Sequence, residues 1–344
     1  MSAEAAGPRM PGEFAEHERT VMAWPCRPEI YVGDYLAEAC AAHAEVARTI
    51  ARFEPVTMIA NPGADADAAA EACGGAVDVV ALPIDDSWFR DSGPIYVHDR
   101  QERVALSWVF NGWGQKFTPF DQDAAVASAW AGEAGHRTRS VPMVFEGGSI
   151  TVDGAGTGAT TTQCLMHPNR NPHLTQREIE AEVCGQLGLQ TLLWLPYGLA
   201  LDDDTDGHVD NVAAFSRPGH LVVQGCEDQN EADWIRMDVN RRVATGALDA
   251  RGVALEVVSI PVLPFTEIDG SRVPVPYVNY YVGNGFVVVP TCGHPADDDM
   301  VAIIAEQYPG REVQALNVGA ILALGGGGIH CITQQVPAVE PVQN

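Results

Sequence analysis

Lysine is almost missing from this chain: of 20 basic residues Lys116 is the only lysine, and arginine supplies the rest, against 46 acidic residues. The formal net charge of -26 argues against nucleic acid and anionic membranes, whose phosphates would be repelled, and favours a cationic ligand drawn in by the field. No run of 18 apolar residues is present, and residues 1–20 lack the apolar core of a signal peptide. The expectation is a soluble, cytoplasmic protein. The eight cysteines, Cys26, Cys40, Cys73, Cys164, Cys184, Cys226, Cys292 and Cys331, form no CxxC pair and no dense framework, so they indicate neither a zinc site nor a disulfide scaffold. No Pro/Gly/Ser linker divides the 344 residues. This predicts one domain over residues 13–340 behind a flexible arm at 1–12.

Short β-rich runs alternate with helical periodicity, which gives an α/β class. Helices are predicted at 34–53, 123–134, 175–187, 230–243 and 297–308, and strands at 56–60, 76–82, 104–110, 191–195, 220–224, 255–261 and 285–290. The strand, strand, helix rhythm recurs without any literal repeat, as in a pseudo-symmetric array.

Four segments carry candidate chemistry. Gly325 to Gly328 precede Ile329, His330 and Cys331. Consecutive glycines let a ligand approach the backbone beside a sulfur, so Cys331 is the candidate nucleophile, against the alternative of an ordinary buried cysteine after a turn. In the acidic stretch from Leu201 to Asn211, Asp202, Asp204, Asp206 and Gly207 imitate the opening of a helix-loop-helix calcium loop. The twelfth position, however, holds Ala213 where a bidentate glutamate is required, which rules that reading out. What remains is His208 two residues before Asp210, a spacing that puts both on one face of a strand. The segments around Trp88 and Asp91, and around Glu146, Gly147 and Gly148, place carboxylates among aromatics and glycines at strand ends. Ordinary turn chemistry is the alternative there.

A thiol and an imidazole supply a nucleophile and a general acid/base. Acyl transfer also needs oxyanion donors, whereas Asp91, Glu146 and Asp210 accept hydrogen bonds when ionised. Acceptors around a nucleophile suit a planar cation, a guanidinium or amidinium, with Trp88 covering its face.

Seven ordered stretches, His17 to Pro25, Asp86 to Pro94, Phe110 to Lys116, Glu146 to Ile150, Asn169 to Pro172, Asp206 to Asn211 and Ile329 to Gln335, resemble the successive motifs of the agmatine deiminases. That family, with the bacterial peptidylarginine deiminases, belongs to the guanidine-modifying superfamily. The resemblance implies an α/β propeller of five ββαβ-type units about a pseudo-fivefold axis, with the active site at its centre. It also implies Cys331 as nucleophile, His208 as general acid/base, Asp91 and Asp210 as guanidinium-binding carboxylates, Glu146 beside the histidine, and Trp88 lining the pocket. Asp204 is taken as a further substrate-binding carboxylate. The implied reaction converts agmatine and water to N-carbamoylputrescine and ammonia through a covalent S-alkylthiouronium on cysteine, with no metal and no organic cofactor. The partner is then a small cationic guanidine, with no nucleic acid and no membrane. Oligomeric state, a homo-oligomer included, is left open, as is the choice between polyamine synthesis and agmatine breakdown.

Where the family usually has asparagine before Ile-His-Cys, this chain has Gly328. Thr151 stands for a common histidine, and Ala320 and Ile321 for a charged pair. Another ω-amino guanidine or a peptidyl arginine therefore stays open as substrate, and a cysteine amidase or a non-catalytic binder of cations stays open as another class. Along a strand Arg90 would face away from Asp91, leaving Lys116 as the one evident clamp for a substrate carboxylate.

Overall fold

The computed structural model describes residues 7–100, 102–268 and 270–339. Among them one strand order recurs five times. Each of five sheets starts with an antiparallel pair, and a helix then crosses over to a third strand lying parallel to the second. The pattern runs through Ile95–Asp99, Glu102–Val109 and Arg137–Val144; then Thr151–Val152, Thr157–Thr161 and Thr191–Leu195; then Ala213–Arg217, His220–Gln224 and Glu256–Ile260; then Tyr281–Gly283, Phe286–Pro290 and Glu312–Leu316. The remaining sheet joins the chain's two ends: Thr333–Pro337 pairs antiparallel with His17–Ala23, which lies parallel to Val56–Ala60 and is followed by Val77–Ala81. A separate hairpin, Phe265–Ile268 with Ser271–Pro274, sits outside this repeat.

Parallel crossovers put helices on the sheets, so a strand in a parallel pair can read as an apolar run without alternation. Val56–Ala60 and Phe286–Pro290 are buried throughout. The predicted strands at 56–60, 191–195 and 220–224 coincide with the observed ones, and all five predicted helices are present within a few residues. The periodicity did not mark the first strand of any sheet, each only two to five residues long, and it also missed His17–Ala23, Arg137–Val144, Thr157–Thr161, Glu312–Leu316 and the separate hairpin. No helix among the described residues is long and apolar enough to cross a membrane, and all eight cysteines are free.

Of the arm predicted over 1–12, residues 1–6 lie outside the described residues. The rest is docked. Arg9 N–H donates to His98 O at 2.8 Å and Met10 N–H to Leu187 O at 2.8 Å, and the Met10 side chain joins a hydrophobic cluster with Leu187.

Glu54 ties the terminal sheet to the Tyr281–Phe286 hairpin. Its carboxylate contacts His17 Nδ1 at 3.1 Å and accepts from Thr20 Oγ1 at 2.5 Å and from Asn284 N–H at 2.8 Å. Burial pushes this carboxyl up, but the hydrogen bond and charge of His17 and the other donors hold it below the usual range. A depressed folded-state pKa contributes stability above the unfolded value and loses it as pH falls through the folded one. Glu54→Gln should therefore cost about 1.5–3 kcal/mol at neutral pH. The gap to the wild type should close as pH drops below about 4.3, the ordinary glutamate value. Urea denaturation at pH 7 and pH 3.5 measures both.

Candidate active site

Each of the five sheets sends one polar side chain inward from the segment just before its first strand. These are Asp91 ahead of Ile95, Glu146 ahead of Thr151, Asp210 ahead of Ala213, Asn279 ahead of Tyr281, and Cys331 ahead of Thr333. All five are at most 5% exposed. The convergence is sharpest at Gly148. A Cβ there would lie 2.5 Å from His208 Nδ1 and 2.9 Å from both an Asp210 and an Asp91 carboxylate oxygen, so only hydrogen fits.

His208 is fully buried, with Nε2 3.5 Å from Glu146 Oε2 and Nδ1 3.7 Å from Asp91 Oδ2. Burial opposes its charge, but Asp91, Cys164 and Glu146 together raise its pKa well above the ordinary histidine value. Asp91 is fixed by Gly148 N–H at 2.8 Å and by the Trp113 indole N–H at 2.9 Å. Trp113 takes a left-handed φ of 51° to reach it, an uncommon conformation for so large a side chain. Burial, opposed by His208, and the neighbouring Asp210 and Glu146 raise the Asp91 carboxyl. Glu146 takes the opposite course. Arg170 Nε donates to its Oε1 at 2.7 Å, and despite full burial that guanidinium and His208 hold its pKa low.

Cys331 Sγ lies 3.4 Å from Asp210 Oδ2, and Asn279 Nδ2 donates to the sulfur at 3.1 Å. Burial and the charges of Asp210 and Asp91 push its thiol pKa well up, so the resting group is a thiol. The glycine run works by close approach. A Cβ on Gly327 would meet Trp88 at 2.6 Å, and one on Gly328 would meet Asn279 Oδ1 at 2.4 Å. Gly328 thus makes room for the amide that donates to the sulfur.

A narrow cavity opens over these groups, lined by Ile30, Trp88, Asp91, Trp113, Phe117, Asp204, Thr205, Gly325, Gly326 and Cys331. Among the described residues, no basic side chain lines it. Asp204 stands at its rim, also facing a second cavity, and burial and Asp202 raise its carboxyl to about 6.

The predicted residues thus come together, but two of the reasons change. His208 and Asp210 do not alternate along a strand, since Val209–Asn211 is a 3-10 turn. Arg90 does face away from Asp91, but on the helical turn Phe89–Ser92, bonding His330 O, Gln335 and Glu13. Lys116 is not a clamp for substrate: its ammonium is bound to Asp206 Oδ1 at 2.6 Å and to the Asp203 carbonyl. Asn279, Arg170, His330 and Glu13 were missed as functional residues. Arg170 and His330 had a readable signal, since they lie within the stretches Asn169 to Pro172 and Ile329 to Gln335.

Glu146, Cys164 and His208 offer one metal-ligand atom each, all within 4.8 Å of one another. Arg170 already supplies the positive charge at Glu146, and a metal ion there would face the guanidinium. The trio reads better as the acceptor-lined seat of an imidazolium.

A family model described as Porphyromonas-type peptidyl-arginine deiminase matches residues 9–337. An agmatine deiminase of Pseudomonas aeruginosa is 40% identical over 97% of this chain and 96% of its own length, and one of Stutzerimonas stutzeri is 39% identical over 96% and 95%. A solved structure of the agmatine deiminase of Enterococcus faecalis superposes with a TM-score of 0.93 at 29% identity, covering 99% of both chains.

Arg170 is fully buried between two acids, donating to Glu146 and, through Nη1 at 2.7 Å, to Asp206 Oδ2. Arg170→Gln leaves Glu146 uncompensated and should lower stability by about 3–5 kcal/mol, read by chemical denaturation. Arg170→Lys should recover only part of that loss, since an ammonium cannot reproduce the fork.

Proposed function

Because the chain belongs to the Porphyromonas-type peptidyl-arginine deiminase family, we propose that it hydrolyses the guanidinium group of agmatine, giving N-carbamoylputrescine and ammonia. The observation that carries this reading is the set of buried acceptors around one thiol. Asp210 Oδ1 and Glu146 Oε2 are buried and lack hydrogen-bond partners among the described residues. A buried acceptor left unpaired costs about 1–3 kcal/mol. A guanidinium placed over Cys331 relieves that cost at Asp210, with its N–H groups to Asp91 and Asp210 and its face against Trp88.

The reaction follows from these positions. The Cys331 sulfur releases its proton as it bonds to the guanidinium carbon, and the imidazolium of His208 gives its own proton to the departing nitrogen. The C–N bond breaks, ammonia leaves and an S-alkylthiouronium remains. Water then adds to that carbon, losing a proton to His208, the C–S bond breaks, and the ureido product leaves with the thiol restored. The released proton converts ammonia to ammonium. The high thiol pKa is compatible with attack because the bound cation offsets the repulsion that Asp91 and Asp210 exert on a thiolate. A rim carboxylate, Asp204, suits the ammonium tail, and a lining without a basic side chain disfavours a substrate carrying a carboxylate. The nearly buried floor, with Trp88 at 5% and Cys331 at 3% exposure, favours a small guanidine over a peptidyl arginine. The five repeats are read as units of an α/β propeller about a pseudo-fivefold axis. Strand order repeated five times and one inward residue per unit support that reading.

The purified protein should release ammonia and a ureido product from agmatine. Cys331→Ala should lose turnover by at least about a thousandfold while agmatine still binds by calorimetry. Residual turnover near the wild-type rate would reject the covalent route. For the wild type, kcat/KM for agmatine should exceed that for free arginine by at least about a hundredfold, equivalent to roughly 2.7 kcal/mol. Equal constants would remove the assignment of the tail pocket and leave the guanidinium chemistry intact.

A further inference from the structure

From Asp210 runs a chain of charged groups that the reaction above does not use. Asp210 Oδ2 lies 2.8 Å from His330 Nδ1, and His330 Nε2 lies 2.8 Å from Glu13 Oε1. Arg90 closes the outer end, with Nη1 3.3 Å from the same Glu13 oxygen and Nε donating to His330 O. His330 is 5% exposed. Its ring therefore has a carboxylate on each nitrogen, an arrangement satisfied only when both nitrogens carry protons.

Local structure explains how a residue so near the N-terminus reaches the site. A turn brings Ala15 N–H onto Gly12 O, the Glu13 carbonyl accepts from His17 Nε2 at 2.8 Å, and the Phe14 carbonyl accepts from Arg311 Nη2 at 2.5 Å. Strand His17–Ala23 then fixes the turn against Thr333–Pro337, so that Glu13 faces the residue preceding the nucleophile.

We propose that Glu13 and His330 are positioning residues that hold Asp210 as an ionised carboxylate turned by its Oδ2, leaving Oδ1 free for the substrate's N–H. The inference rests on the guanidinium-binding role proposed for Asp210. A carboxylate among Asp91, Glu146 and a thiol would take up a proton to escape like charges. A cation held beside it opposes that without occupying the cavity. The groups facing Asp210 are His330, His208, Cys331 and Asp91; those facing His330 are Glu13, Arg90 and Asp210; those facing Glu13 are His330, Arg90 and His17, with Tyr280 and Tyr308 close by. The directions agree. Burial raises Glu13, but His330 and Arg90 bring it to about 2. Burial and Arg90 lower His330, but Glu13 and Asp210 raise it. Burial raises Asp210, but His330 brings it down.

The test is Glu13→Gln, which keeps size and one hydrogen bond but removes the charge. With His330 no longer held as a cation, Asp210 should take up a proton at higher pH. The acidic limb of kcat/KM for agmatine should then move up by about half a pH unit or more, and Glu13→Asp should move it back. A uniform fall in kcat with an unchanged pH profile would mean a merely structural role and overturn the proposal. A second readout needs neither turnover nor the variant. Nitrogen-15 histidine spectra of the wild-type protein, with the ring assigned by its loss in His330→Gln, should show His330 as imidazolium at pH 8. A neutral His330 ring there overturns the relay even in an active enzyme. An imidazolium in a protein that leaves agmatine untouched supports the relay and removes only the deimination reading.

Discussion

The molecule is organised around the electrostatic cost of keeping Asp91, Glu146 and Asp210 buried within reach of one another and of a thiol. In a medium of low dielectric such groups repel strongly and would protonate if left alone. Each is compensated differently. Glu146 has the guanidinium of Arg170, Asp210 the ring of His330, and Asp91 two neutral donors, Gly148 N–H and the Trp113 indole, with His208 between Asp91 and Glu146. Glu146 and Asp210 are accordingly held low, while Asp91, with no cation of its own beyond His208, is pushed up.

That constraint reaches outward through the compensating cations, which are themselves buried and need anions. Arg170 is shared with Asp206, and Asp206 in turn holds Lys116. His330 is shared with Glu13, and Glu13 with Arg90. The result is two alternating chains of charge running from the cavity floor. One ends on the acidic loop at 202–206, the other on the N-terminal turn. Neither is a surface salt bridge of the kind that contributes little, because removing any inner member strands a buried charge.

The sequence carried the chemistry further than the geometry. Cys331, His208, Asp91, Glu146 and Asp210 were legible because glycines and carboxylates at strand ends have no use in an ordinary core. The repeat was legible as rhythm through apolar strands such as Val56–Ala60 and Phe286–Pro290. The first strands were not, since two to five residues such as Thr151–Val152 carry too little alternation to be seen. The pairing of Thr333–Pro337 with His17–Ala23 spans nearly the whole chain, and no local pattern encodes it. Glu13 was assigned to the boundary of a loose arm for the same reason: its partners are 77 and 317 residues away.

Lys116 shows how a charge count can rest on a wrong part. Read from the sequence, the only lysine was a candidate to meet a substrate carboxylate. In the structure its ammonium binds Asp206 and the Asp203 carbonyl, holding together the loop that presents Asp204 to the rim. The cation is therefore spent inside an acidic loop whose residues would otherwise repel one another. What faces the cavity is carboxylate, aromatic ring and glycine backbone. The preference for a doubly cationic guanidine then does not depend on one recognising residue. It follows from a wall in which positive side chains are turned outward to stabilise acids, so that the remaining uncompensated acceptors can be satisfied only by a ligand that brings the missing charge itself.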